Sequence, residues 1–361
     1  MSSLIPMTSQ PLRRTAAILA ILTLCVGASA ASAQTPGQAS AEEVRFESGP
    51  GTRLAGTLEK PVGFASRPFP VAILISGTGP WTRGGWINIR ARLLASGIAV
   101  LQYDKPGLGR STGTFVDTIP AMERDVAAAV SFLRTRRDVD PGRVALVGTS
   151  QGAVAAPMVA SRDPAVAAVV MLSGPVGPRG ELFLSILRGH LRNAGKNPAQ
   201  VQAVAATVGM WMEARSRNAA AAEVARLRKA AVAAFAGVGF PGPEADNFVA
   251  TLDNDVVLSM FEAAPDQALS ALRVPVLSIY GSRDDVIAPA LSVEAAVAAL
   301  KDNPDALVVA VPGMTHELTR AAPAPSGEAT PEDGTMPVVT EVVASWLATR
   351  LGTGTPKGSS H

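Results

Sequence analysis

The stretch Val144-Ala145-Leu146-Val147-Gly148-Thr149-Ser150-Gln151-Gly152 decides how this chain reads. Four apolar residues make a short buried strand, and the alanine-rich run after Gly152 reads as a helix. Between them a serine has a glycine two residues away on either side. If the chain turns sharply here, a side chain at either glycine would collide with the neighbouring strand or helix. Such a strand-to-helix turn holds its serine in a strained backbone conformation with Oγ exposed, as a nucleophile at a sheet edge requires.

Outward from this turn, apolar runs recur at Val71–Ser76, Ile98–Tyr103, Ala167–Leu172, Val274–Tyr280 and Ala306–Val311. Helical stretches lie around Ile87–Ala95, Pro120–Arg136, Gln151–Ala160, Pro289–Leu300 and Pro337–Leu351. Buried runs alternating with helices imply an α/β class: a mainly parallel central sheet flanked by helices. Val44–Ser48 and Leu54–Glu59 read as an antiparallel pair around Gly49-Pro50-Gly51. The rhythm breaks between Gly174 and Val274, where no strand is expected and residues 181–235 carry apolar side chains at helical spacing. Residues 175–269 are therefore expected to form an inserted helical cap between two core segments, 34–174 and 270–351. Residues 322–333 read as a loop and 352–361 as a flexible tail.

A serine hydroxyl is a weak nucleophile at neutral pH, and needs a base whose tautomer is fixed by a third group. The chain has three histidines. His361 ends a Gly/Ser tail and His190 sits in the expected cap. His316 follows the run Ala306–Val311 and a Pro312-Gly313 break, which puts it at the C-terminal edge of the last strand, where parallel sheets carry their sites. The base is thus expected to be His316. The loop after Val274–Tyr280 offers two carboxylates, Asp284 and Asp285, for the third group. Oxyanion donors are expected from the backbone N–H of Gln151 and of Thr78, the latter in the turn Gly77-Thr78-Gly79. Trp81 and Trp86 follow that turn and are candidate pocket walls. Met210, Trp211 and Met212 are candidate acyl-pocket residues of the cap, a composition that also suits a core. Asp104, in a glycine-rich turn, is read as a backbone cap and not as catalytic.

Taken in order, five segments resemble the α/β-hydrolase superfamily: Ser76–Pro80, Tyr103–Ser111, the serine turn, Gly281-Ser282-Arg283-Asp284 and Gly313-Met314-Thr315-His316. The likeness is greatest to bacterial exported capped esterases and to serine aminopeptidase-like hydrolases. Two positions depart from it: Pro106 stands where that branch usually has Arg, and Ser76 where many members have His. The resemblance implies the α/β-hydrolase fold. It also implies a serine hydrolase acting on carboxylic esters through an acyl-enzyme, with Asp284 as the triad acid and no metal or organic cofactor. Two alternatives are a serine aminopeptidase-like peptidase, for which the cap offers Glu181, Glu213 and Glu223 as amine anchors, and a non-catalytic binding protein of the same fold.

The N-terminus reads as an export signal: Arg13-Arg14, an apolar Ala16–Val26, then Ala31-Ser32-Ala33 as a cleavage site. Removing residues 1–33 takes away Cys25, the single cysteine, and with it any disulfide or thiolate chemistry. It also removes two of 32 basic residues and none of 30 acidic ones, leaving 30 of each. That balance argues against nucleic-acid or polybasic membrane partners. The expectation is a periplasmic or secreted protein with no stable membrane anchor and a small-molecule ester as its partner.

Overall fold

The strand Phe69–Ile75 (β3) shows how the sheet is buried. Successive side chains point to opposite faces, and both faces are covered. Val71, Ile73 and Ile75 join one cluster of buried side chains, Ala72 and Leu74 another. The computed structural model describes residues 40–62, 68–320 and 337–353. The expected signal segment 1–33, the loop at 322–333 and most of the tail lie outside the described residues.

The other strands are Ser40–Gly49 (β1), Thr52–Lys60 (β2), Ala99–Tyr103 (β4), Val139–Thr149 (β5), Val166–Leu172 (β6), Val276–Gly281 (β7) and Ala306–Val311 (β8). They form one sheet in the order β1-β2-β4-β3-β5-β6-β7-β8. β1, β2 and β4 pair antiparallel, and from β4 onward every pairing is parallel. Helices Ile87–Ala95 (α1) and Pro337–Arg350 (α11) cover the face bearing Ala72 and Leu74 through Ile89, Leu93, Val343 and Leu347. Helices Ile119–Arg134 (α2) and Gln151–Ala160 (α3) cover the other through Met122, Val126, Ala153 and Ala156. The doubly covered α/β sheet expected from the sequence is therefore present, with bounds mostly within two residues. β1 and β5 are the exceptions. β1 begins four residues before the expected Val44, and β5 five residues before the expected Val144, with Pro141-Gly142 carried in the strand beside a register shift.

Between β6 and β7 the chain is helical, as expected: Glu181–Asn193 (α4), Pro198–Ser216 (α5), Ala221–Gly237 (α6), Gly242–Leu252 (α7), Asp255–Glu262 (α8) and Pro265–Ala271 (α9). The start of α5 carries its own signal: Asn197 and Gln200 form a reciprocal capping box around Pro198. This insert has its own apolar cluster, built from side chains such as Phe183, Leu187, Trp211, Phe235 and Val249 and reaching Phe261. α9 does not belong to it. Leu269 packs in the sheet-side cluster with Leu272 and Val276 and is not part of the insert's own cluster. A fourth cluster joins cap to core, with Leu182 and Ala263 against Ile119 and Val154. Among the described residues no helix is long and apolar enough to cross a membrane.

Candidate active site

Ser150 stands alone between β5 and α3, with φ 52° and ψ −119°. That conformation is costly for a non-glycine residue and persists only when its surroundings enforce it. Here they do. A Cβ on Gly148 would run into the backbone of Gly152, and one on Gly152 into the carbonyl of Ile75. The N–H of Ser150 donates to Leu172 O at 2.9 Å, fixing the turn to the end of β6. Among the described residues Ser150 Oγ has no hydrogen-bond partner. It opens into a cavity of about 670 Å³ whose lining also includes His316, Thr78 and Gln151.

His316 and Asp284 come from the loops after β8 and β7. The two loops are stitched together: Arg283 N donates to Met314 O at 2.8 Å, Ser282 N to Val311 O at 3.0 Å, and Gly313 N to Ser282 Oγ at 2.9 Å. Gly281 permits this approach, since a Cβ there would strike the backbone carbonyls of Met314 and Thr315. The result is a 2.8 Å contact between His316 Nδ1 and Asp284 Oδ2. Asp284's other oxygen accepts the N–H groups of Val286 at 2.9 Å and Ile287 at 2.7 Å. A carboxylate held in this way accepts the hydrogen bond of an Nδ1–H, which favours the tautomer with its proton on Nδ1 and leaves the Nε2 lone pair available as a base. Burial pulls the His316 pKa down, but the bond to Asp284 and the charges of Asp284, Glu317 and Asp285 outweigh it, so the net shift is upward. Asp285 is exposed, and the ring's hydrogen-bonded carboxylate among the described residues is Asp284.

Gln151 and Thr78, whose backbone amides were expected as oxyanion donors, both line this cavity. Gln151 is the first residue of α3, and its N–H is among those a helix leaves unpaired. Neither this N–H nor that of Thr78 has a hydrogen-bond partner among the described residues. The N-terminal end of α3 adds positive potential at the same place. Trp81 and Trp86 both line the cavity. Trp81 donates its ring N–H to Thr78 O at 2.7 Å, and Trp86 caps α1 in the left-handed region at φ 62°.

Met210 and Trp211, read as acyl-pocket candidates, are not brought to this cavity. Trp211 is fully buried in the cap's own cluster, and Met210 is 55% exposed on the rim of a separate groove. The cap meets the cavity through Leu182 and Ile186 of α4 and Met260 of α8. The signal for this lay in α4, whose one apolar row, Phe183-Leu187-Leu191, feeds the cap cluster while a second row, Leu182 and Ile186, faces the serine. His190 stacks on Phe248 in the cap at 5.0 Å between ring centres, away from the serine cavity. Asp104 is buried and accepts the backbone N–H groups of Arg83 and Arg110, both at 2.9 Å, a capping role as read. Glu213 and Glu223 line the separate cap groove, and Glu181 is bidentate to Arg188. Glu317, which sequence reasoning passed over, is the one acidic side chain in the cavity lining among the described residues. Lys105 and Asp117 were also passed over. Among the described residues no group of three or more His, Cys, Asp or Glu could hold a metal ion.

This arrangement defines a member of the α/β-hydrolase class. The chain belongs to the Alpha/beta hydrolase family, whose sequence model matches residues 72–326. It is similar to the thiohydrolase apmlB of Arthrinium phaeospermum, with 39% identity over 119 residues covering 30% of this chain and 39% of that protein. It is also similar to the esterase EstD of Thermotoga maritima, with 32% identity over 150 residues covering 39% of this chain and 35% of that protein. The chain thus matches well under half of the length of either relative. Two solved structures share the fold. The Pyrococcus furiosus esterase Pf2001 superposes with a TM-score of 0.53 at 15% identity over 87% of this chain and 91% of that one. Est1E from Butyrivibrio proteoclasticus, with ferulic acid bound, gives 0.51 at 16% identity over 86% of this chain and 99% of that one.

Proposed function

We propose that this protein is a serine hydrolase that cleaves carboxylic esters through an acyl-Ser150 intermediate. The observation that carries the reading is the convergence on one cavity of a strained, unbonded Ser150 Oγ, a His316 held by buried Asp284, and two unpaired backbone amides. His316 Nε2 takes the Ser150 proton as Oγ bonds to the ester carbonyl carbon. The N–H groups of Thr78 and Gln151 hold the resulting oxyanion. Collapse breaks the ester C–O bond, and His316 returns its proton to the departing alkoxide. Water then attacks the acyl-enzyme with His316 again as base, releasing the acid and restoring Ser150.

An ester is favoured over an N-terminal peptide because the cap side of the cavity is apolar and none of Glu181, Glu213 and Glu223 lines it, so the carboxylate in the lining is Glu317, next to the base His316 in the chain. A non-catalytic binding role is disfavoured because it would not need a strained serine beside an oriented histidine. Export with loss of residues 1–33 is part of the same reading and rests on the sequence alone. The test is to label the protein with a fluorophosphonate, map the adduct, and compare p-nitrophenyl esters with aminoacyl-anilides. Adduct on Ser150 with turnover of the esters supports the reading. Turnover of the anilides alone overturns it in favour of a peptidase, and an unlabelled Ser150 in favour of a binding protein.

A further inference from the structure

Behind the turn Gly77-Thr78-Gly79 lies a buried ion pair that the mechanism above does not use. Lys105 is 8% exposed, and its ammonium has three donors for three acceptors. Nζ donates to Gly77 O at 2.7 Å, to Gly79 O at 2.9 Å and to Asp117 Oδ1 at 2.6 Å. Asp117, also buried, accepts the N–H of Gly79 on its other oxygen at 2.6 Å. The backbone carbonyl of Asp117 accepts from Gln151 Nε2 at 2.9 Å. One pair of charges therefore touches both segments that supply oxyanion donors.

The peptide geometry gives this contact a consequence. The carbonyl of Gly77 and the N–H of Thr78 belong to the same planar peptide unit, and in a trans peptide they point in opposite directions. An ammonium that grips Gly77 O from behind therefore turns the Thr78 N–H the other way, toward the cavity that Ser150 lines. A cation on the oxygen also draws electron density through the amide and makes its N–H a stronger donor, since linked hydrogen bonds polarise one another. Asp117 keeps the ammonium in place and fixes the neighbouring Gly79 peptide, so the turn cannot rotate as a unit.

We propose that Lys105, held by Asp117, is a positioning residue of the reaction. It orients and polarises the Gly77–Thr78 peptide so that the Thr78 N–H can hold the oxyanion, without touching the substrate. This rests on the acyl-transfer reading of the site and adds a residue that neither the serine turn nor the triad identifies.

The experiment compares the wild type with Lys105→Met, Asp117→Asn and the double variant. The double variant leaves no unpaired buried charge behind and so remains informative if a single variant folds poorly. Each is characterised by its melting temperature, by kcat and KM on p-nitrophenyl butyrate per fluorophosphonate-titratable Ser150, by the rate of that labelling, and by inhibition with a butyl boronic acid and with butyrate. Loss of one oxyanion donor typically lowers kcat by roughly 10²–10³-fold. Lys105→Met and the double variant should fall in that range with KM within about threefold, because the contact acts on the tetrahedral state. The boronic acid should weaken by a factor comparable to the loss in kcat/KM, whereas butyrate should bind as before. A lowered melting temperature with kcat per titrated serine within about threefold of wild type would mean that the pair is structural only, and would overturn the proposal. A wild type that labels at Ser150 but turns over no ester would sink the ester reading alone, because the labelling rate still reports the same oxyanion hole. A wild type that does not label at all would remove both.

Discussion

Replacing Asp284 by Asn tests the site at its most constrained point. Asp284 Oδ1 accepts two backbone N–H groups, from Val286 and Ile287. An asparagine there must keep its carbonyl oxygen on those two donors, since its NH₂ cannot accept them. The NH₂ then faces His316 at the position of the present 2.8 Å contact. His316 Nδ1 becomes an acceptor, its proton moves to Nε2, and the nitrogen nearest Ser150 can no longer take a proton. Inversion of the tautomer in a Ser-His-Asp enzyme costs about 10⁴-fold in kcat, or about 5.4 kcal/mol of barrier at about 1.36 kcal/mol per tenfold. Asp285 is exposed and acts on the ring through its charge, so Asp285→Asn should lower turnover by about tenfold or less. The assay is p-nitrophenyl butyrate hydrolysis at neutral pH by both variants, after circular dichroism shows them folded. Turnover by Asp284→Asn above about a tenth of wild type, or a crippled Asp285→Asn, would refute the argument.

Other consequences can be measured in the same way. Ser150→Ala and His316→Ala should each reduce ester turnover to the background left by the oxyanion hole, and the double variant should be about as inactive as either, because the residues act as a unit. His316 must be neutral to accept the serine proton, and its pKa is shifted upward from 6.5, so kcat/KM should rise with pH through a midpoint above 6.5. Glu317→Gln removes one of the charges that favour the imidazolium, so that midpoint should move down, and an unchanged profile would remove Glu317 from the account. Leu182→Ala, Ile186→Ala or Met260→Ala should raise turnover of octanoyl relative to acetyl esters by about tenfold, whereas Met210→Ala should leave the ratio unchanged. Trp211→Ala should destabilise the protein by about 3–5 kcal/mol in urea melts without selectively changing the chain-length profile of the folded fraction.

The sheet was legible because its burial is two-sided. Strands covered on both faces are apolar almost without interruption, as the runs Val71–Ser76 and Ala167–Leu172 are. The start of β5 was not legible for a local reason. Pro141 and Gly142 are turn residues by propensity, and only the pairing of Val139 with Phe69 holds them in an extended strand. The side on which α9 packs was hidden for the opposite reason. α9 is helical like the cap, and whether Leu269 faces the cap or the sheet is decided by packing that helical periodicity does not encode.

The site divides along the same line. Ser150 and Gly148 were readable because their constraint is steric and lies within five residues, and His316 because the chain has so few histidines. The wall of the cavity was not readable, because it is set by which of two adjacent rows on α4 turns toward the core. Met210 and Trp211 have the composition of a binding surface, yet the tryptophan is buried in the apolar cluster that the five helices α4–α8 build among themselves. Lys105 was hidden in plain view inside the segment Tyr103–Ser111. Nothing about a lysine in a glycine-rich loop announces that its three donors will be filled by Gly77, Gly79 and Asp117. Its role depends on a turn 26 to 28 residues earlier and a carboxylate 12 residues later. Chemistry-bearing residues can be found in a sequence by their type and spacing, whereas the groups that aim them become visible only when the hydrogen-bond donors and acceptors are matched in space.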